Sequence, residues 1–163
     1  TGVREAKPVR FVVEPRRSEL IERKTLAPHL APDFPSVQPG KLMHPYHDFW
    51  MLSMATEKRS GRKFFNRLAH LNWDEPGVCD IYQPEPMRYL GGEPVFIENP
   101  GDECSGAIIC QGFDAEHRAS AFAIFDAFDV AKGPLALLHL REPIHLGFHA
   151  SFRPRPRAGK RND

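Results

Sequence analysis

Cysteine is scarce: Cys79, Cys104 and Cys110 are the three in 163 residues, an odd number without a C-x-x-C pair. That argues against a disulfide framework or a zinc ribbon, and the three read as small hydrophobes in a reducing compartment. Long apolar runs are missing too. No stretch approaches the ~18 residues that cross a bilayer, and the opening TGVREAKPVRF has charge but no following apolar segment of signal-peptide length. A cytoplasmic chain is the expectation. The G-x-S-x-G elbow, the phosphate loop and H-E-x-x-H are all absent, so hydrolase and nucleotide-binding readings have no footing. The basic end RPRPRAGKRND, from Arg153 to Asp163, lacks aromatics and so offers no stacking platform for nucleic acid. It reads as a solvated, disordered tail, with no nucleic-acid partner.

What is present is enough for one globular domain: 41% hydrophobic residues over an ordinary domain length. The chain begins at Thr1, which is compatible with processing or with a longer parent. Sixteen prolines interrupt the sequence so often that no long helix survives between them, which points to an all-β chain. Strands are predicted at VRFVVE (9–14), DFWMLSM (48–54), PVFIEN (94–99), GAIICQGF (106–113), SAFAIFDAF (120–128), ALLHLR (136–141) and GFHASF (147–152). From residue 94 onward their spacing is that of an antiparallel meander, with PGDECS and DAEHRA as polar links and DVAKGP ending in a Gly-Pro breaker. ASAFAIFDAFDVA also has helical spacing. Its strand reading places Ala121, Ala123, Phe125 and Ala127 on one face, a surface small enough for close sheet-to-sheet approach. The stretch from EKRSGRK to QPEPMRYLGG is polar and carries the least pattern.

Histidine is where metal chemistry could begin. His44 and His47 are three apart, which in an extended chain sends them to opposite faces, and Pro45 opposes a helix. They are not expected to share an ion. His29, His70 and His117 lie in polar surroundings and read as surface residues, and His139 alternates with leucines near a sheet edge. His149, in LGFHASF, stands inside an apolar run, where a histidine is ordinarily a core residue satisfied by a neighbour.

Five stretches, in order, change that reading: DFPSV (33–37), GGEPVFIENPG (91–101), SGAIICQGFD (105–114), SAFAIFDAFDVAKGPLALLHLREP (120–143) and IHLGFHASFRP (144–154). Their order and spacing resemble the C-terminal part of the carotenoid cleavage oxygenases, a family that includes apocarotenoid and lignostilbene dioxygenases and the retinal pigment epithelial isomerase. GEPVF and the last stretch are specific by themselves; the others contribute by order.

The resemblance implies a seven-bladed β-propeller, with residues 1–152 forming its C-terminal antiparallel blades. It implies Fe(II) on the propeller axis, held by four histidines from different blades, with three glutamates accepting hydrogen bonds from three of the imidazoles. His149 matches the last iron ligand and Glu93 one of those glutamates. Asp33 stands where the family usually has a glutamate before F-P, one methylene shorter. Phe148 and Phe152 would give the ligand an apolar surround. None of the other seven histidines has a matching context, so the resemblance implies a chain that lacks the N-terminal blades and is inactive by itself. The whole enzyme would use dioxygen to cleave a conjugated double bond of a carotenoid, apocarotenoid or stilbene-like substrate, peripheral membrane contact being left open. The rival reading is a non-catalytic β-rich binding module that keeps only the strand pattern.

Overall fold

The computed structural model describes residues 6–26, 30–55, 64–75, 77 and 79–153. The chain is all-β, as expected, and every strand pairing among the described residues is antiparallel. The hairpin of β1 (Val9–Glu14) and β2 (Glu19–Thr25) stands as its own two-stranded sheet. Next come β3 (Pro32–Ser36), β4 (Asp48–Ser53), β5 (Arg67–Asn72) and β6 (Cys79–Tyr82), paired in chain order as a four-stranded meander. A second such meander follows: β7 (Arg88–Asn99), β8 (Asp102–Asp114), β9 (Ala119–Asp126) and the short edge strand β10 (Ala136–His139).

The main core lies between the two meanders. Trp50, Leu52 and Leu68 of the first sheet meet Phe96, Ile108, Cys110 and Phe125 of the second, all buried. The small face expected of β9 is the one that enters this core, since Ala123, Phe125 and Ala127 are buried together. Alanines there let the sheets approach closely enough for the Trp50 indole N–H to donate to the Ala127 carbonyl at 2.6 Å. Trp50 also stacks on His70, with ring centroids 5.0 Å apart. The other face of the first sheet has a core of its own, in which Phe49, Met51, Ala69 and Leu71 pack with Leu26 and Trp73.

Three expectations need correction. The stretch read as pattern-poor contains β5 and β6. Both faces of β5 are buried, so its residues do not alternate apolar with polar, and the hydrophobic period of a half-exposed strand is missing. His70, read as a surface residue, is 7% exposed in β5. It is satisfied there by Asp48, whose Oδ1 lies 2.9 Å from Nε2 and also accepts from Asn72 at 3.0 Å. GFHASF is not a strand, although its backbone is held in place by other means described below. Of the expected basic tail, everything after Arg153 lies outside the described residues, as does His29.

Candidate functional site

Two breaks in the strand ladders build the site. In β7, Gly91 pairs with Gln111 and Val95 with Ile109, so Gly92, Glu93 and Pro94 together face a single β8 residue, Cys110. The sequence explains this bulge: Gly92 takes a left-handed φ of 68°, and Pro94 has no N–H to give to the ladder. Released from pairing, Glu93 turns its carboxylate outward. In β3 the register likewise slips between Asp33 and Ser36, and Phe34 adopts a φ of 54°, costly for an aromatic residue and held by burial of its ring. β3 and β7 pack side by side, so the two bulges are neighbours.

The segment 140–150 brings the histidine to this place. Three residues on β9, β8 and β7 share the face turned away from the main core: Ser120 beside Phe113, Gln111 beside Phe122, and Gly91 beside Gln111. The segment runs across those strands in turn. The Ser120 hydroxyl accepts from Ile144 N–H and donates to its carbonyl at 3.0 and 3.1 Å. Gln111 donates to the His145 carbonyl at 2.7 Å and accepts from Gly147 N–H at 2.6 Å. Gly92 N–H donates to the Gly147 carbonyl at 2.7 Å. Last, Glu93 takes both the Ala150 N–H, at 3.3 Å, and the His149 ring, whose Nδ1 lies 2.9 Å from Oε1.

The histidine side chain is 69% exposed and that of Glu93 is 34% exposed. The hydrogen bond from His149, joined by that from the Ala150 backbone, holds the Glu93 carboxyl below its ordinary value despite the opposing effect of burial. An ionised carboxylate at Nδ1 fixes the proton on that nitrogen and leaves Nε2 with its lone pair outward. That donor set fits one coordination position of Fe(II), for which imidazole is a suitable ligand. Around it, Phe148 meets the His149 ring edge-on at 4.6 Å and Phe34 at 5.1 Å, giving an apolar wall. On the other side a groove of about 410 Å³ runs along the sheet, lined by Val95, Ile109, Phe122, Leu138 and Phe152.

The structure thus brings His149 and Glu93 together, with Phe148 and Phe152 beside them. Among the described residues Asp33 is not brought to a histidine: it is exposed, and its Oδ1 accepts from Phe34 N–H at 2.8 Å. His47 pairs with Asp74, and His117 with Asp114 at 3.0 Å, while His139 is exposed on β10. Among the described residues there is no cluster of three or more histidine, cysteine or acidic side chains placed to hold an ion. No helix among them is long and apolar enough to cross a membrane. Sequence reasoning passed over Phe34, Gln111 and Ser120. A glutamine amid GAIICQGF was the available signal, since a polar amide on an otherwise apolar strand needs a partner.

A model of the family described as "Retinal pigment epithelial membrane protein" matches residues 2–154. The apocarotenoid-15,15'-oxygenase of Synechocystis is 26% identical over 145 residues, which are 88% of this chain and 28% of that protein. Resveratrol cleavage oxygenase 1 of Chaetomium globosum is 34% identical over 77 residues, 47% of this chain and 13% of that one. Among solved structures, an ACO/RPE65 chimera superposes with a TM-score of 0.75 at 22% identity, covering 90% of this chain and 30% of the chimera. Cobalt-substituted Synechocystis ACO gives 0.72 at 24% identity, covering 86% of this chain and 29% of the other. The two meanders are therefore blades of a β-propeller, and the chain spans less than a third of the length of these relatives.

Proposed function

The chain belongs to the retinal pigment epithelial membrane protein family, and we propose that it forms the C-terminal blades of an Fe(II)-dependent dioxygenase in which His149 is one of the iron ligands. The observation that carries this reading is the pairing of His149 Nδ1 with Glu93 Oε1 at 2.9 Å, at a bulge that frees the carboxylate for that purpose. When bound, ferrous iron supplies the redox centre at which dioxygen is activated for attack on a conjugated double bond.

Each residue has a part. Glu93 keeps the proton on Nδ1, so the ring presents Nε2 as a neutral ligand in a fixed orientation. Phe34 and Phe148 set an apolar edge on one side of the imidazole, and the apolar groove beside it offers a surface to a polyene or stilbene. One imidazole does not retain iron against water, so the remaining ligands come from chain outside these residues, and the 163-residue segment alone is inactive. The apocarotenoid and resveratrol oxygenases among its relatives support a conjugated, largely apolar substrate.

The test is iron stoichiometry and oxygen-dependent cleavage of an apocarotenal and a stilbene by the full-length protein loaded anaerobically with Fe(II). H149A is expected to abolish both. E93Q, which keeps the shape and loses the charge, should weaken iron binding by about 10–100-fold. Iron retained at full stoichiometry by H149A would sink the assignment, and a wild-type protein that takes up no iron would favour the binding-module reading.

A further inference from the structure

We infer that Gln111 is a positioning residue, clamping the backbone that carries His149 through an amide that stands in for a missing strand. This rests on the reading of His149 as a ligand only for its consequence, since the clamp is a matter of backbone hydrogen bonds.

The problem it solves is geometric. Beyond Leu140, whose N–H still donates to the Ser120 carbonyl, residues 144–147 run across the strands of the second sheet rather than along them, so their peptide groups facing the sheet find partners in side chains instead of a ladder. On one side of an extended residue, the preceding carbonyl and the following N–H point the same way, the pair a neighbouring strand would engage. Gln111 engages that pair around Leu146. Its Nε2 donates to His145 O at 2.7 Å and its Oε1 accepts from Gly147 N at 2.6 Å. Among side chains of this length only a primary amide carries one donor and one acceptor in this spacing: glutamate would lose the donor, methionine both, and asparagine the reach. Gln111 is only 7% exposed, so each of its bonds replaces water it has given up.

Gly147 is held at its carbonyl as well, by Gly92 N–H at 2.7 Å. A Cβ at position 147 would come within 3.1 Å of Gln111 Oε1, so the glycine is what permits the close approach. The same two elements that hold Gly147, β8 through Gln111 and the β7 bulge through Gly92, lead directly to the Glu93 carboxylate on which His149 rests. A single residue, Phe148, separates the clamped Gly147 from His149. Release of Gly147 would leave the His149 segment hydrogen-bonded only through the Glu93 carboxylate, to the ring and to the Ala150 N–H.

Hydrogen exchange read by mass spectrometry on the full-length, metal-free protein tests the clamp directly. Gly147 N–H should exchange as slowly as the amides of β8, although it lies in no strand; fast exchange there in the wild type overturns the proposal, whatever any variant does. In Q111M, with similar volume and no amide, exchange over 144–150 should accelerate at least tenfold while β8 and β9 keep their protection. Iron affinity should fall about 10–100-fold, the range seen when a partner behind a ligand is lost. A folded Q111M with wild-type exchange over 144–150 and wild-type iron affinity also overturns it. H149A separates the two readings: it should lose iron with Gly147 still protected. Protection of Gly147 in a wild type that binds no iron would leave the clamp standing and remove the metal assignment.

Discussion

The two four-stranded sheets have the same connectivity and opposite solvation. The central strands β4 and β5 of the first sheet are buried on both faces, by the main core on one side and by Leu26, Phe49, Met51, Leu71 and Trp73 on the other. The β7–β10 sheet buries one face in that main core and leaves the other to the crossing segment and an apolar groove, with all four residues of β10 exposed. The first sheet reaches the candidate site only through the Phe34 ring at its edge strand, whereas the open face of the second carries a segment whose hydrogen bonds come from side chains, and with it His149.

The sharpest way to probe that contrast is to empty the shared core. F125A removes a ring with no exposure at the centre of both sheets' packing, and should cost ~3–5 kcal/mol in denaturant unfolding. Two of the His–Asp pairs divide the sheets next. His70 is buried and stacked on Trp50, so H70A, which leaves Asp48 Oδ1 with Asn72 as its remaining partner and opens a void, should cost about 2 kcal/mol. On the open face, F122A should cost about 1 kcal/mol or less and, on the proposed function, raise the concentration of apolar substrate that half-saturates the full-length protein, because Phe122 lines the groove.

The smallest effect belongs to the pair whose histidine is exposed, His117 with Asp114. Hydrogen bonds from the His117 backbone and then its ring lower the Asp114 carboxyl from an ordinary 3.8 to about 2. A carboxyl lowered by folding stabilises the protein above its unfolded value and stops doing so as pH falls through its folded one. D114N should therefore be slightly destabilised relative to wild type at neutral pH. The difference should shrink between about pH 4 and pH 2, read from melting temperatures across that interval.

The same contrast governs what the sequence could reveal. β8 and β9 were legible because one face is small or apolar and enters a core while the other is not fully covered, so their alternation survives. β5 was not, because Leu68, Ala69, His70 and Leu71 are all buried and the histidine disguised the run as surface. GFHASF reads as a strand because an extended chain has the same side-chain period whether its peptide groups meet a ladder or the side chains of Ser120 and Gln111. The pairing of Glu93 with His149 came from the order of motifs. Its physical cause, a bulge of three residues against one, depends on Gly92 and Pro94 acting together and on the partner strand, which no local pattern contains.

The hydrogen bond from Trp50 to Ala127 also equips the molecule with an optical gauge. Trp50 and Trp73 are its two tryptophans, and they sit in different cores: Trp50 between the meanders against His70, Trp73 on the far side of the first sheet, stacked on Phe49 at 4.5 Å. With Trp73 replaced by phenylalanine, the remaining indole emission follows the distance between the two blades. With Trp50 replaced, it follows the inner packing of one blade alone, so loosening of the joint and melting of a blade can be timed separately in the same protein.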